Sequence, residues 1–200
     1  MPTWALLIPD YWPPSPNRRS GEHWSKRHKR KKVVTERVAM YARAGGHVPA
    51  YEGRVGVCIR RLYQGRKQAL DEDNLKAAAK ELIDALRRPK NAGSGWQGGI
   101  GVIVDDDPRH ARLKVDQASL HDPETAAWFA RHHLDCAEAL RWDLNTAIVV
   151  GPVAEMVPEP TDADVEAVEE ELGMGAGAWD MEDPMDIIRA AWRRYEERAS

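Results

Sequence analysis

Residues 70–86 read LDEDNLKAAAKELIDAL, and this stretch decides the fold. Ala77, Leu82, Ile83, Ala85 and Leu86 supply apolar positions for a helix expected over Asp73–Arg88, which Pro89 stops. Upstream, RVGVCIRRLY (54–63) alternates Val55, Val57 and Ile59 with Arg54, Gly56, Cys58 and Arg60, the period of a strand with one basic face. A basic loop, Gln64–Ala69, joins the two. Further back, His23–Ala44 reads as a helix ended by Gly45-Gly46, and Trp4–Ile8 as a first strand. The prolines of residues 12–17 exclude helix there, because they remove backbone donors and bias their neighbours to extended geometry. Downstream of a glycine-rich loop (91–99), Ile100–Val104 and Ala111–Val115 read as two strands joined by the DDDPRH turn. The order β-α-β-α-β-β predicts an α+β fold, a mixed β-sheet with helices packed on it.

After Gln117 the pattern changes. Pro123–Trp142 reads as helix, Thr146–Val150 as a short apolar run and 151–160 as a proline-containing linker. Thr161–Leu172 and Pro184–Arg198 are short helix candidates. The expected organisation is a main domain over 1–120, a helical and strand extension over 121–154, and a mostly helical acidic tail over 155–200, mobile or weakly docked.

The formal net charge of −3 hides an asymmetry. Residues 155–200 hold 14 acidic and 4 basic side chains, against 25 basic and 18 acidic in residues 1–154. A basic body with an acidic tail suits a nucleic-acid-binding domain. Cys58 and Cys136 form no CxxC pair and read as reduced, partly buried thiols. No apolar run is long enough for a membrane span, and MPTWALLIPDYWPP lacks the basic start of a signal peptide, so a cytoplasmic location is expected.

Two acidic clusters flank the 70–86 helix. Asp71 and Asp73 stand at its mouth, where one aspartate is explained by capping but two plus Asn74 exceed what a cap needs. Asp105-Asp106-Asp107-Pro108 ends an apolar run; it reads either as a solvated Asx-Pro turn or as carboxylates placed at a strand tip to meet the first cluster. Facing carboxylates are suited to Mg²⁺, a hard cation that takes oxygen ligands. Asp73, Lys76 and Lys80 are spaced i, i+3 and i+7 and share a face, so a lysine can sit near a phosphate held by the carboxylates. Lys80 is also spaced for a surface ion pair with Asp84. The segment RRSGEHWSKRHKRKK (18–32) carries eight Lys/Arg against one Glu, with Trp24 available to pack beneath it. Its better reading is contact with DNA or RNA phosphates. Arg60, Arg61, Arg66 and Lys67 extend that basic character toward the helix mouth. His132-His133 lacks metal-ligand spacing and reads as surface. GSGWQGGIG lacks the Lys-Ser/Thr of a P-loop, DEDN lacks the glycine and distal Glu of an EF-hand, and no Ser/His/Asp or Cys/His arrangement stands out.

Three segments, in order, resemble the RusA family of Holliday junction resolvases, small proteins common in phages and prophages. Pro13-Pro14-Ser15-Pro16-Asn17-Arg18 resembles the family's PPSxN-R element, Asp71-Glu72-Asp73-Asn74-Leu75 its DxDNL helix start, and Val104-Asp105-Asp106-Asp107-Pro108 its downstream DD turn. The likeness covers roughly residues 4–117, so it makes 1–120 a RusA-like nuclease domain. It implies a homodimeric, Mg²⁺-dependent crossover junction endodeoxyribonuclease that makes paired incisions in four-way DNA junctions during recombination and repair, in a bacterial or phage-infected cell. Carried onto this sequence, Asp71, Asp73 and Asp106 become the catalytic metal ligands, with Asp105 as a helper. The family's usual lysine position is Ala77 here; the spacing of longer-helix members puts the catalytic lysine at Lys80, ahead of Lys76. The DNA backbone would fall to Asn17, Arg18, Arg19, Lys26, Arg27, Lys29, Arg30, Arg66, Lys67 and Lys76. The competing readings are a nucleic-acid-binding protein without chemistry, and a related Mg²⁺ nuclease acting on flaps or replication forks.

Overall fold

Trp4–Pro9 (β1), Val55–Tyr63 (β2), Ala111–Ser119 (β3) and Leu144–Gly151 (β4) form a mixed sheet in the order β1-β4-β2-β3. The helices are Trp24–Ala44 (α1), Glu72–Leu86 (α2), Pro123–Arg131 (α3) and Cys136–Ala139 (α4). This computed structural model describes residues 2–14, 22–64, 69–89 and 98–153. The fold is α+β: a four-stranded mixed sheet with helices on it. Among the described residues no helix is long and apolar enough to cross a membrane.

β2 lies inside the sheet, parallel to β3 and antiparallel to β4. A strand flanked on both edges and covered on both faces reads as a continuous apolar run, which explains VGVCI. The expected basic face of this strand is corrected. Gly56 and Cys58 are buried, and Arg60 and Arg61 are both buried on opposite faces of the sheet. Parallel pairing of β2 and β3 needs a crossover, and α2 supplies it. Residues 144–151, placed by the sequence in the extension over 121–154, form β4 between β1 and β2.

One core holds α1 and α2 on one face of the sheet through Val34, Val38, Leu75, Leu82 and Leu86 against Ile8, Ile59 and Ile148. A second core lies on the other face, where Trp128 and Phe129 of α3 and Cys136 and Ala139 of α4 meet Cys58, Leu62, Ala147 and Val149. Both cysteines are free and buried. α1 buries only Val34, Thr35, Val38 and Ala42, so its first two turns are a charged ridge. Trp24, expected beneath that charge, is 72% exposed.

Three further expectations change. Ala77 of α2 is exposed, and the buried stripe runs through Leu75, Ala78, Ala79 and Leu82 instead. Ile100–Val104 is not a strand, and no hairpin joins it to β3. Its amides serve α2: Ile100 N–H donates to Ala85 O at 2.7 Å and Ile103 N–H to Leu86 O at 3.1 Å. The orphan carbonyls of a helix end are satisfied by this segment, leaving only an isolated bridge between Arg87 and Ile103. The helix expected over Pro123–Trp142 is broken in two. His133 takes a left-handed φ of 52°, Leu134 N–H closes on Phe129 O, and Asp135 caps α4 by accepting from Glu138 N–H at 2.9 Å. Residues 15–21, 65–68, 90–97 and 154–200 lie outside the described residues; with them go Asn17, Arg18, Arg19, Arg66, Lys67 and the tail helices.

Candidate functional site

Asp71 is the N-cap of α2. Its carboxylate accepts from Asn74 N–H at 2.9 Å and from the Asn74 side-chain amide, and these bonds hold it below the usual carboxylate range. Asp73, in the first turn, is exposed. Just before the cap, Leu70 is gripped through its backbone by Gln117 of β3: Leu70 N–H donates to Gln117 Oε1 at 2.9 Å and Gln117 Nε2 donates to Leu70 O at 2.6 Å. The mouth of α2 is thus fastened to the edge of the sheet.

Two turns along, Lys80 reaches across to the 105–107 turn. Its Nζ contacts Asp106 and lies 3.1 Å from Asp84. The (i, i+4) pair with Asp84 is formed, and the same ammonium also meets the second acidic cluster. Burial of Lys80 and Asp106 opposes their charges, but their mutual contact outweighs it: Lys80 is held above its ordinary value and Asp106, with help from Asp105 and Arg87, below its own. Arg87, in extended backbone just past the helix, lies 2.7 Å from Asp105, 3.2 Å from Asp106 and 3.4 Å from Asp84. Lys31 of α1 adds a pair to Asp84 at 3.0 Å.

Asp107 behaves differently from its neighbours. Arg109 and His110 hold its carboxylate far below the ordinary range, and its carbonyl accepts from Ala111 N–H at the start of β3. Asp107 is the turn former; Asp105 and Asp106 face α2.

The geometry brings Lys80, Asp105 and Asp106 together but leaves Asp73 two turns back on the Lys80 face, roughly 10 Å along the axis by helical rise, and Asp71 farther still, at the N-cap. Among the described residues no group of three or more His, Cys, Asp or Glu is placed to hold a metal ion. The donor set, carboxylate oxygens, is of the kind a hard divalent cation takes, but in this arrangement Lys80 and Arg87 occupy the 105–106 pair in its place.

Of the basic residues expected at a phosphate backbone, Lys26, Arg27 and Lys29 are exposed on α1. Arg30 instead bridges Glu22 and the buried Glu81 of α2, the latter at 2.7 Å, and so fixes α1 to α2. Lys76 pairs with Glu72 on the surface. Arg60 faces away from the α2 mouth: it binds Asp116 through two bonds of 2.8 and 2.7 Å and lies 4.5 Å over the Trp128 ring. His132, read as surface, meets the Trp128 ring edge-on with centroids 4.8 Å apart, and burial lowers its pKa to about 4. The sequence reading overlooked Arg87 and Gln117. The (i, i+3) spacing of Asp84 and Arg87 was the available signal for the first; nothing local marks the second.

No protein-family model matches this chain, and no curated protein matches it.

Proposed function

We propose that the chain is a divalent-cation-dependent, structure-specific endodeoxyribonuclease of RusA type that cuts four-way DNA junctions. The observation that supports this reading is the contact of Lys80 with Asp106, which sets the α2 lysine singled out by the resemblance beside the acidic turn singled out by it. When bound by Asp71, Asp73 and Asp106, Mg²⁺ would supply Lewis acidity at a phosphate and a water of lowered pKa. The chain's own residues do the remainder. Lys80, beside Asp106, would offset the charge that develops on the phosphate during attack. The exposed ridge of Lys26, Arg27 and Lys29 on α1 binds the phosphate backbone without reading bases, which suits selection by shape. A two-fold dimer would set two such sites on symmetric strands. In this reading residues 155–200 are an acidic extension to the nuclease domain.

The test is incubation of the full chain with a four-way junction and Mg²⁺, with cut sites mapped on all strands beside flap and duplex controls. Paired symmetric nicks are expected. A clear gel shift with an intact junction would contradict the proposal and favour a binding protein without chemistry, a reading that the Arg87 pairs to Asp105 and Asp106 already lend weight. Asp73→Asn should abolish cutting while binding and thermal stability stay near wild type, because Asp71, not Asp73, caps the helix. Lys80→Ala should slow cutting about 100-fold or more, and Lys76→Ala far less; the reverse order would assign the lysine wrongly.

A further inference from the structure

Three carboxylates from two segments converge on one guanidinium. Arg87 Nη2 lies 2.7 Å from Asp105 Oδ1, while Nη1 lies 3.2 Å from Asp106 Oδ1 and 3.4 Å from Asp84 Oδ1. The backbone that aims this side chain is fixed on both sides. Ile103 N–H donates to Leu86 O at 3.1 Å, Gly101 N–H to Arg87 O at 3.1 Å, and Arg88 N–H to Ile103 O at 2.9 Å. Gly99 packs against the same Arg87 carbonyl, so closely that a Cβ there would overlap it. The Arg87 side chain is 20% exposed. Lys80 is held differently. It is 52% exposed on α2 and meets the other oxygen of Asp106, Oδ2. An exposed lysine on a flexible stem exchanges partners readily, whereas a placed arginine fork does not.

The two oxygens of Asp106 are therefore unequal: Oδ1 is tied inward to Arg87 and Oδ2 faces the labile Lys80. Asp105 Oδ1, besides meeting Arg87, accepts from Asp106 N–H at 2.8 Å, which turns that carboxylate back onto its own turn. A divalent ion bridging Asp84, Asp105 and Asp106 would have to enter where the guanidinium already sits, against like charge at contact distance. We propose that Arg87 is a positioning residue that keeps Asp84 and Asp105 out of any divalent-ion sphere and leaves Asp106 to offer one oxygen, Oδ2, on the helix face that Lys80 shares with Asp73. The proposal deepens the metal reading above and rests on it for the ion that Asp106 meets. The exclusion of Asp84 and Asp105 rests on the Arg87 contacts alone. On this account Asp105 serves Arg87 and is not a helper at the metal.

Mg²⁺ binding to the full chain, measured by calorimetry, is the test. Asp105→Asn should leave the wild-type affinity unchanged. Arg87→Gln should gain a Mg²⁺ site about tenfold tighter or more, because three facing carboxylates lose their resident cation. Asp105→Asn in the Arg87→Gln background should erase that gain. Arg87→Lys keeps the charge but not the fork, and should fall between wild type and Arg87→Gln. Thermal unfolding checks that the variants fold, and Mg²⁺ should raise the midpoint of Arg87→Gln more than that of wild type. A purely structural Arg87 would give lost or unchanged Mg²⁺ affinity in folded Arg87→Gln, and either result would overturn the proposal. So would weakened binding in Asp105→Asn alone. Should Arg87→Gln not fold, unchanged or weaker binding by Arg87→Lys would overturn it equally. Absence of Mg²⁺ binding in wild type, with an Asp105-dependent site gained in Arg87→Gln, would keep the proposal and remove the metal from the nuclease reading. Junction cutting by wild type with no gain in Arg87→Gln would do the opposite.

Discussion

Trp128 is flanked by a histidine and an arginine that both lie largely out of water. Arg60 lies over the ring and His132 packs against it, so the imidazole is both desolvated and surrounded by Arg131, Arg60 and His133. Its pKa falls to about 4 from an ordinary 6.5. The unfolded chain therefore takes up this proton first as pH drops. Stability from neutral His132 is fully present above about pH 6.5 and is lost progressively toward pH 4. Chemical denaturation across that window should show a loss on the order of 2 kcal/mol that His132→Phe removes. An unchanged slope in the variant would place the titration elsewhere. The pairing could not be read locally: adjacent histidines on a helix look like surface, and only the break at His133 turns one inward. Lys80 is the opposite case. Its spacing from Asp73 and Asp84 was visible in sequence, and its approach to Asp106 follows from the helix lying beside the turn.

At the scale of elements, helix ends account for what was legible and what was not. α2 was readable because its cap, its apolar spacing and the proline beyond it are local signals. The Ile100–Val104 segment was misread because its apolar residues resemble a strand, whereas the Ile100, Gly101 and Ile103 amides are committed to carbonyls at the end of α2. That arrangement demands a glycine. A Cβ at Gly99 would lie 1.9 Å from the Arg87 carbonyl oxygen, a contact that forces the backbone apart. Gly99→Ala should destabilise the protein by about 2–3 kcal/mol in denaturant titration. It should also loosen Arg87, and with it the anchoring of Asp105 and Asp106. A near-wild-type midpoint would show that the segment can shift freely. β2 was placed correctly, yet Arg54, Gly56, Cys58 and Arg60 were read as one basic face, because alternation alone does not reveal a strand covered on both sides.

For the whole molecule, the strand order carries information that no local pattern holds. β4 lies far along the chain from β1 and β2 yet separates them, so the two cores close only when residues 144–151 are present. A fragment ending at residue 120 should lack cooperative unfolding by circular dichroism, whereas one ending at residue 153 should unfold as a single transition; a folded 1–120 fragment would refute the central role of β4. The same long-range assembly governs the proposed site, whose helix mouth and acidic turn lie more than 30 residues apart in sequence. Lys80 already spans part of that gap, and the remaining step is whether one divalent ion draws Asp71, Asp73 and Asp106 into a shared sphere. Titrating wild type, Asp73→Asn and Asp106→Asn with Mg²⁺ by calorimetry measures this directly. One site whose affinity falls about tenfold or more in each variant is the predicted result; a loss in one variant without the other, or no binding by wild type, would contradict a single site built from both clusters.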